Sequence, residues 1–338
     1  MAAPIQVHQI TAPHMAATNI LTMSSSHGLE NECREIHDSW GSLNQLIPSL
    51  ARRTQLERQQ IRETYRTIYC GEEEDLISLL QRYEAGISPM KSTAFSLWML
   101  DSHERDAVIA REALHEEDDT NYKALVEIFV GRKSDHIHLM KQAYQRRFRR
   151  QLDQDIINIE APHPYKKILV ALTTSHKAHH ADVSQHIAKC DARRLYETGE
   201  GGGSGAIEAV VLETLSKRSI QQLKLTLSSY KHIYGHDYTK SLKRGNSGAL
   251  EQALKMVVKC ICSPPNYYAK ALYLSIRGRT IDKSSFERVL MSRADVDMDE
   301  ILRVFRKKYS KELKDAICES IPSGVYRDFL VALATKTT

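Results

Sequence analysis

Residues 132–148 read RKSDHIHLMKQAYQRRF, an arginine followed twelve and sixteen residues later by aromatic rings. The same arrangement occurs four times in the chain, with successive arginines 79, 86 and 75 residues apart. Its members are Arg53 with Tyr65 and Tyr69, Arg132 with Tyr144 and Phe148, Arg218 with Tyr230 and Tyr234, and Arg293 with Phe305 and Tyr309. Self-similarity at a fixed spacing is the signature of a repeated structural unit. The chain is therefore predicted to contain four copies of one module.

A second landmark keeps the same register. The segment YKKILVAL begins at Tyr165, 33 residues after Arg132, and YRDFLVAL begins at Tyr326, 33 residues after Arg293. Two landmarks at equal offsets make a chance periodicity very improbable. The segments themselves are apolar enough to predict a strongly buried helix near the end of the module.

The module is predicted to be all-α. Aromatic residues four positions apart lie on one face of a helix, so the paired rings are expected to pack in the core. Helix starts are predicted after the arginines, by capping-box patterns at residues 54–57 and 219–222 and by N-caps at Ser134 and Asp295. The repeated arginine is interpreted as holding helix ends through hydrogen bonds to carbonyls. No segment of useful length alternates as a strand does.

Composition excludes several classes of protein. No apolar run approaches the roughly 20 residues that a membrane-spanning helix needs. Residues 1–29 carry no Lys, Arg, Asp or Glu and predict an extended or disordered tail without a signal peptide, so a cytosolic location is expected. The six cysteines follow no zinc-ligand spacing and are expected to be reduced. A net charge of +5 permits attraction to anionic surfaces without indicating nucleic acid.

Two further stretches resemble the annexin family, and its plant branch in particular. Residues 97–107, LWMLDSHERDA, resemble the end of a plant annexin first repeat, and residues 292–297, SRADVD, resemble a helix junction of the fourth. The resemblance implies a curved disc of four repeats, each with five helices, whose calcium loops bind acidic phospholipids peripherally. The boundaries predicted on this basis are a tail at 1–29 and repeats at 30–107, 108–191, 192–265 and 266–338.

The resemblance also implies where calcium would bind. The family's site needs a Gly-x-Gly-Thr turn and an Asp or Glu about 40 residues later, which suits a cation that prefers oxygen ligands. In the first repeat the turn keeps only Gly41, and Glu84 is the expected acid. In the second repeat residues 115–120 lack the turn.

The last two repeats keep other fragments of this site. The third has Gly203 and Gly205, but its acid position falls on Gly245. The fourth has Gly278 and Thr280, with Glu319 as the acid if the register slips by one. No repeat has both a complete turn and an unambiguous acid, so calcium binding is predicted to be weak.

Membrane contact is predicted at the tips of these loops. Trp40 is expected at the bilayer interface, and Arg277 and Arg279 are expected to meet lipid phosphates. The alternative is that Trp40 packs under the N-terminal tail and that both arginines are merely solvated.

Other functions remain as alternatives. A protein-interaction scaffold that has lost lipid binding is the second hypothesis. No P-loop or nucleophile–base arrangement is evident, so the chain is not expected to be an enzyme. The arginines at 146, 147, 149 and 150 form either a solvated face or an anion-binding patch, although nucleic acid is not expected as a partner. The sequence does not reveal the oligomeric state.

Overall fold

The computed structural model describes residues 28–38, 46–69, 75–87, 93–115, 120–159, 163–175, 183–201, 204–242, 248–278 and 281–335. Within these ranges every regular element is a helix, which confirms the predicted all-α class. The chain forms two compact units, one ending at Met99 and the other beginning at Leu100.

The first unit contains five helices. They are α1 (residues 28–38), α2 (Leu46–Arg52), α3 (Gln55–Ile68), α4 (Leu76–Ile87) and α5 (Ala94–Met99). Its core is built around Trp98, which is fully buried and whose indole N–H donates to the carbonyl of Leu50 at 2.9 Å. The guanidinium of Arg58 lies 3.7 Å from the centroid of the same indole.

The second unit contains three successive sets of five helices. The first set is α6 (Ser102–Leu114), α7 (Tyr122–Gly131), α8 (Ser134–Phe148), α9 (Leu152–Ile157) and α10 (Pro164–Ser175). The second is α11 (Gln185–Gly201), α12 (Ser204–Lys217), α13 (Ile220–Tyr234), α14 (Tyr238–Ser241) and α15 (Ala249–Cys262). The third is α16 (Pro264–Arg277), α17 (Lys283–Arg293), α18 (Met298–Tyr309), α19 (Leu313–Ser320) and α20 (Val325–Ala334).

Both apolar landmark segments form buried helices, as the sequence predicted. Leu169 and Leu172 of α10 are fully buried, as are Leu330 and Leu333 of α20. The predicted repeat boundaries at 107/108, 191/192 and 265/266 fall inside α6, α11 and α16, while the helical structure begins at residue 28. The boundaries therefore remain approximate predictions.

Two of the four predicted helix starts are confirmed. Thr54 forms a full capping box with Glu57, and the side chain of Ser219 accepts from the backbone N–H of Gln222. Ser134 is instead the first residue of α8, and α18 begins at Met298, two residues later than Asp295 would require. The chain makes an extra turn at residues 294–297 before α18.

The paired rings occupy different depths in every set. The first ring is buried in all four pairs and the second is half-buried, so the expectation that both lie in the core was half right. A group from the first helix of the set covers the second ring. The covering groups are His37 on Tyr69 at 3.9 Å, Arg111 on Phe148 at 5.7 Å, Tyr196 on Tyr234 at 3.8 Å and Tyr273 on Tyr309 at 3.7 Å.

The repeated arginine binds a carboxylate rather than mainly carbonyls, which corrects the sequence interpretation. In three sets the carboxylate comes from the first helix. The pairs are Arg53 with Glu32 at 2.9 Å, Arg132 with Asp106 at 2.6 Å and Arg218 with Asp191 at 2.7 Å. In the last set Arg293 pairs with Asp297 at 2.5 Å and lies 4.6 Å from the ring of Tyr268, while a longer bond reaches the carbonyl of Gly131.

Asp106 shows how strongly such a pair is held. The carboxylate is completely buried and accepts from Arg132 and from His136, the latter at 2.7 Å. Burial alone would raise the pKa of Asp106, but the positive charge of Arg132 and these hydrogen bonds outweigh it and hold the pKa well below its usual range. The repeated arginine is thus a structural element of the module.

Candidate calcium loops

The predicted loop of the fourth repeat lies between α16 and α17, and the structure describes both of its ends. Gly278 has an extended backbone, with φ −72° and ψ 170°. The N–H of Asp282 donates to the carbonyl of Ser275 at 2.9 Å and closes the loop at its base. The Asp282 carboxylate accepts from the N–H of Ser285 at 3.0 Å and caps α17. The predicted residues Arg279 and Thr280 lie outside the described ranges.

The acid predicted for this loop has another partner. Glu319 is an exposed residue of α19, and its carboxylate pairs with the ammonium of Lys311. The neighbouring Ser320 is the residue that reaches the loop, because its hydroxyl donates to the carbonyl of Ile276 at 3.3 Å. The loop thus meets a neutral hydroxyl in this arrangement, and a ligand role for Glu319 stays a prediction that requires its ion pair with Lys311 to open.

The acid predicted for the first repeat is buried. Glu84 is only 2% exposed and accepts from the N–H of Phe95 at 2.5 Å, the N–H of Ser96 at 3.3 Å and the Ser96 hydroxyl at 2.7 Å. These donors belong to the first turn of α5, where helix N–H groups lack partners within the helix. Glu84 therefore fixes the start of α5. The other predicted residues of this loop, Trp40 and Gly41, lie outside the described ranges.

The third-repeat turn is only partly described. Gly205 belongs to the first turn of α12 and is exposed, whereas Gly203 and the acid position at Gly245 lie outside the described ranges. A glycine within a helix start offers its carbonyl to the helix, so the described half of this turn does not have the form of an open loop.

The described carboxylates do not fit a calcium site as they are arranged. Calcium takes six to eight oxygens, several of them from carboxylates. In the part of the chain that the structure describes, no three His, Cys, Asp or Glu side chains are grouped so that they could hold a metal ion. Glu84 serves a helix start and Glu319 serves a lysine, so neither faces a described loop as a free ligand.

Arg277 has the exposure that its predicted lipid contact needs. It ends α16, and its guanidinium lies 5.4 Å from the ring centroid of Tyr273. Tyr273 itself stacks on Tyr309 in the ring pair described above. Sequence reasoning missed Tyr273, Asp282 and Ser320, although the spacing of Asp282 and Ser285 is a recognisable N-cap signal.

Comparison with known proteins identifies the family. A family model described as "Annexin" matches residues 105–172, 191–257 and 267–333. The chain belongs to the annexin family. Human annexin A13 is 33% identical over 290 residues, covering 85% of this chain and 88% of the relative. Annexin D2 of Arabidopsis thaliana is 31% identical over 309 residues, covering 90% and 94%, and supports the resemblance to the plant branch.

The fold agrees with solved annexin structures. The structure of annexin III superposes with a TM-score of 0.79 at 27% identity, covering 92% of this chain and 94% of the other. Annexins bind phospholipid membranes in a calcium-dependent manner and are generally non-enzymatic. No helix in the described ranges of this annexin is long and apolar enough to span a membrane.

Proposed function

We propose that this annexin binds anionic phospholipid membranes peripherally and that calcium contributes little to its affinity. The observation that carries the proposal is the arrangement of Glu84 and Glu319, each of which has a protein partner in place of an open loop. Calcium affinity falls as charged ligands are lost. The remaining fragments at Gly41, Gly203, Gly205, Gly278 and Thr280 offer backbone and hydroxyl oxygens with little charge. The proposal assigns no catalytic step.

Membrane contact is then made by the loops' own side chains. An indole at residue 40 suits the interface between headgroups and acyl chains. Arg277 is exposed at the end of α16 and can meet a lipid phosphate, as can Arg279 two residues later. Tyr273 supports this role, because its ring lies against the Arg277 guanidinium and limits the side-chain entropy that binding would cost.

Cosedimentation with phosphatidylserine vesicles tests the proposal, in calcium and in chelator, at low and at high salt. Binding is expected to survive the chelator and to weaken with salt. Each basic residue near an anionic surface contributes about 1 kcal/mol, so replacing Arg277 and Arg279 by Ala is expected to weaken binding about tenfold or more. Trp40→Ala is expected to weaken binding without changing its salt dependence, because the indole contribution is apolar.

The matched control removes two positive charges elsewhere. Arg303 and Lys307 are exposed on α18, and their double replacement by Ala changes the net charge equally. This control is expected to retain most of the vesicle binding. Unchanged binding in a Trp40, Arg277 and Arg279 triple variant would reject the docking face. No binding of the natural chain under either condition would favour the protein-interaction scaffold.

A further inference from the structure

A cavity of about 860 Å³ lies between α10 and α12, away from the arginines and loops discussed above. Its walls are mainly apolar. Val170 and Ala171 come from α10, Leu212 comes from α12, and Leu250 comes from the start of α15. Cavities of about 300 to 1,000 Å³ with apolar walls and a few polar groups are typical of small-molecule sites. The cavity thus has the size and lining of a ligand site.

The carboxylates at the rim are already paired. Glu208 accepts from the ammonium of Lys167 at 2.5 Å. Glu213 accepts from Lys217 at 2.6 Å and also pairs with Arg194. The hydrogen bonds from Arg194 and Lys217 lower the pKa of Glu213 to about 2, so this carboxylate stays ionised and bound to its partners at neutral pH.

One rim cation is left with a neutral partner. Lys166 is half-buried in the first turn of α10, and the described acceptor for its ammonium is the carbonyl of Ile159 at 2.5 Å. Counting the rim lysines with Arg194 and Lys217 gives four cations against the two carboxylates Glu208 and Glu213. The surplus charge beside the apolar walls is positive, which favours a ligand with an anionic end.

We infer that this cavity binds a single-chain anionic amphiphile, specifically a fatty acid, independently of membrane docking. Its carboxylate would bind the ammonium of Lys166 at the rim. Its chain would lie against Val170, Leu212 and Leu250. A charge-assisted hydrogen bond at one end and apolar contact along the rest match what the cavity offers.

Calorimetric titration of the full chain with decanoate, below its micellar concentration, is the test. One binding site is expected. Octanoate is expected to bind more weakly by up to about fifteenfold, because each buried methylene is worth roughly a factor of four. Lys166→Gln should weaken decanoate binding about tenfold, the value of one hydrogen bond to a charged group. Lys224→Gln, which removes an exposed lysine of α13, serves as the matched control and should bind as the natural chain does.

Filling the cavity separates a true site from surface adsorption. Ser216 lines the wall, and Ser216→Phe is expected to abolish decanoate binding while leaving vesicle cosedimentation unchanged. If circular dichroism shows that this variant is unfolded, Leu212→Gln makes the wall polar and should weaken binding about tenfold. Absence of decanoate binding by the natural chain would overturn the inference. Equal binding by Lys166→Gln and by a folded cavity variant would do the same, and neither outcome would bear on membrane docking.

Discussion

The first and fourth repeats treat their predicted calcium acids in opposite ways. Glu84 is buried and holds three donors at the start of α5. Glu319 is exposed, with 65% of its side chain accessible, and its described partner is one lysine. Positions that match in sequence register therefore carry carboxylates with different structural roles. The first acid can be released only by disturbing the fold, whereas the second can be released by breaking a surface pair.

The repeated arginine differs between the same two repeats, and its removal is expected to have the largest effect. The side chain of Arg293 is 6% exposed and lies between Asp297 and Tyr268, while that of Arg53 is 35% exposed. Arg293→Ala should lower the free energy of unfolding by about 3 to 5 kcal/mol, because it leaves a buried charge unpaired. Arg53→Ala should cost about 1 kcal/mol or less. Urea denaturation measures both, and equal losses would show that the two environments do not differ energetically.

The acids themselves give the next largest difference. Glu84→Ala should lower the free energy of unfolding by about 2 to 3 kcal/mol, since it strands buried donors of Phe95 and Ser96. Glu319→Ala is the matched control and should change stability by less than about 0.5 kcal/mol. Thermal and urea unfolding of both variants would check this. A neutral Glu84→Ala variant would mean that the carboxylate is not committed to α5.

Sequence reasoning reached the fold more easily than the site. The spacing of the rings and the capping box at Thr54 are local signals, and local signals suffice to predict helices in a repeated module. A carboxylate's partner depends on which segment folds back onto it. Glu84 meets α5, eleven residues further along, and Ser320 meets Ile276, 44 residues earlier. Those pairings follow from how the helices pack and were not predictable from the register alone.

The carboxylates that bind the arginine carried a signal that went unused. Asp106 and Asp191 lie 26 and 27 residues before their arginines, which is a third periodic landmark. The corresponding place in the last repeat is occupied by Tyr268, so the pattern breaks where the pairing switches to Asp297.

A smaller effect is expected at the end of the third helix in each repeat. Ser310 ends α18 in the left-handed region, with φ 53°, while Tyr69 ends α3 at φ −103°. Ser310→Gly should raise the free energy of unfolding by about 0.5 to 1 kcal/mol, because glycine adopts this conformation without the steric penalty of a side chain. Tyr69→Gly should instead destabilise, since it removes the ring stacked on His37. Thermal unfolding of both variants tests the sign, and a stabilising Tyr69→Gly would contradict the comparison.

The smallest expected change concerns calcium. Lys311→Ala frees Glu319 from its ion pair and should raise the affinity for calcium by up to about fivefold, the upper value of an exposed salt bridge. Lys314→Ala, which removes an exposed lysine of the same helix, is the control for net charge. The measurement is calcium titration in the presence of phosphatidylserine vesicles. An equal gain in both variants would mean that Glu319 is not the ligand that the pair withholds.

Calorimetric titration of the natural chain with calcium in the absence of lipid tests the central claim most directly. Because the predicted acids of the first and fourth repeats have protein partners, no site tighter than roughly 10⁻⁴ M is expected, which is the weak end of protein calcium sites. A site of micromolar affinity would contradict the account, since it would require a carboxylate that faces one of these loops as a free ligand.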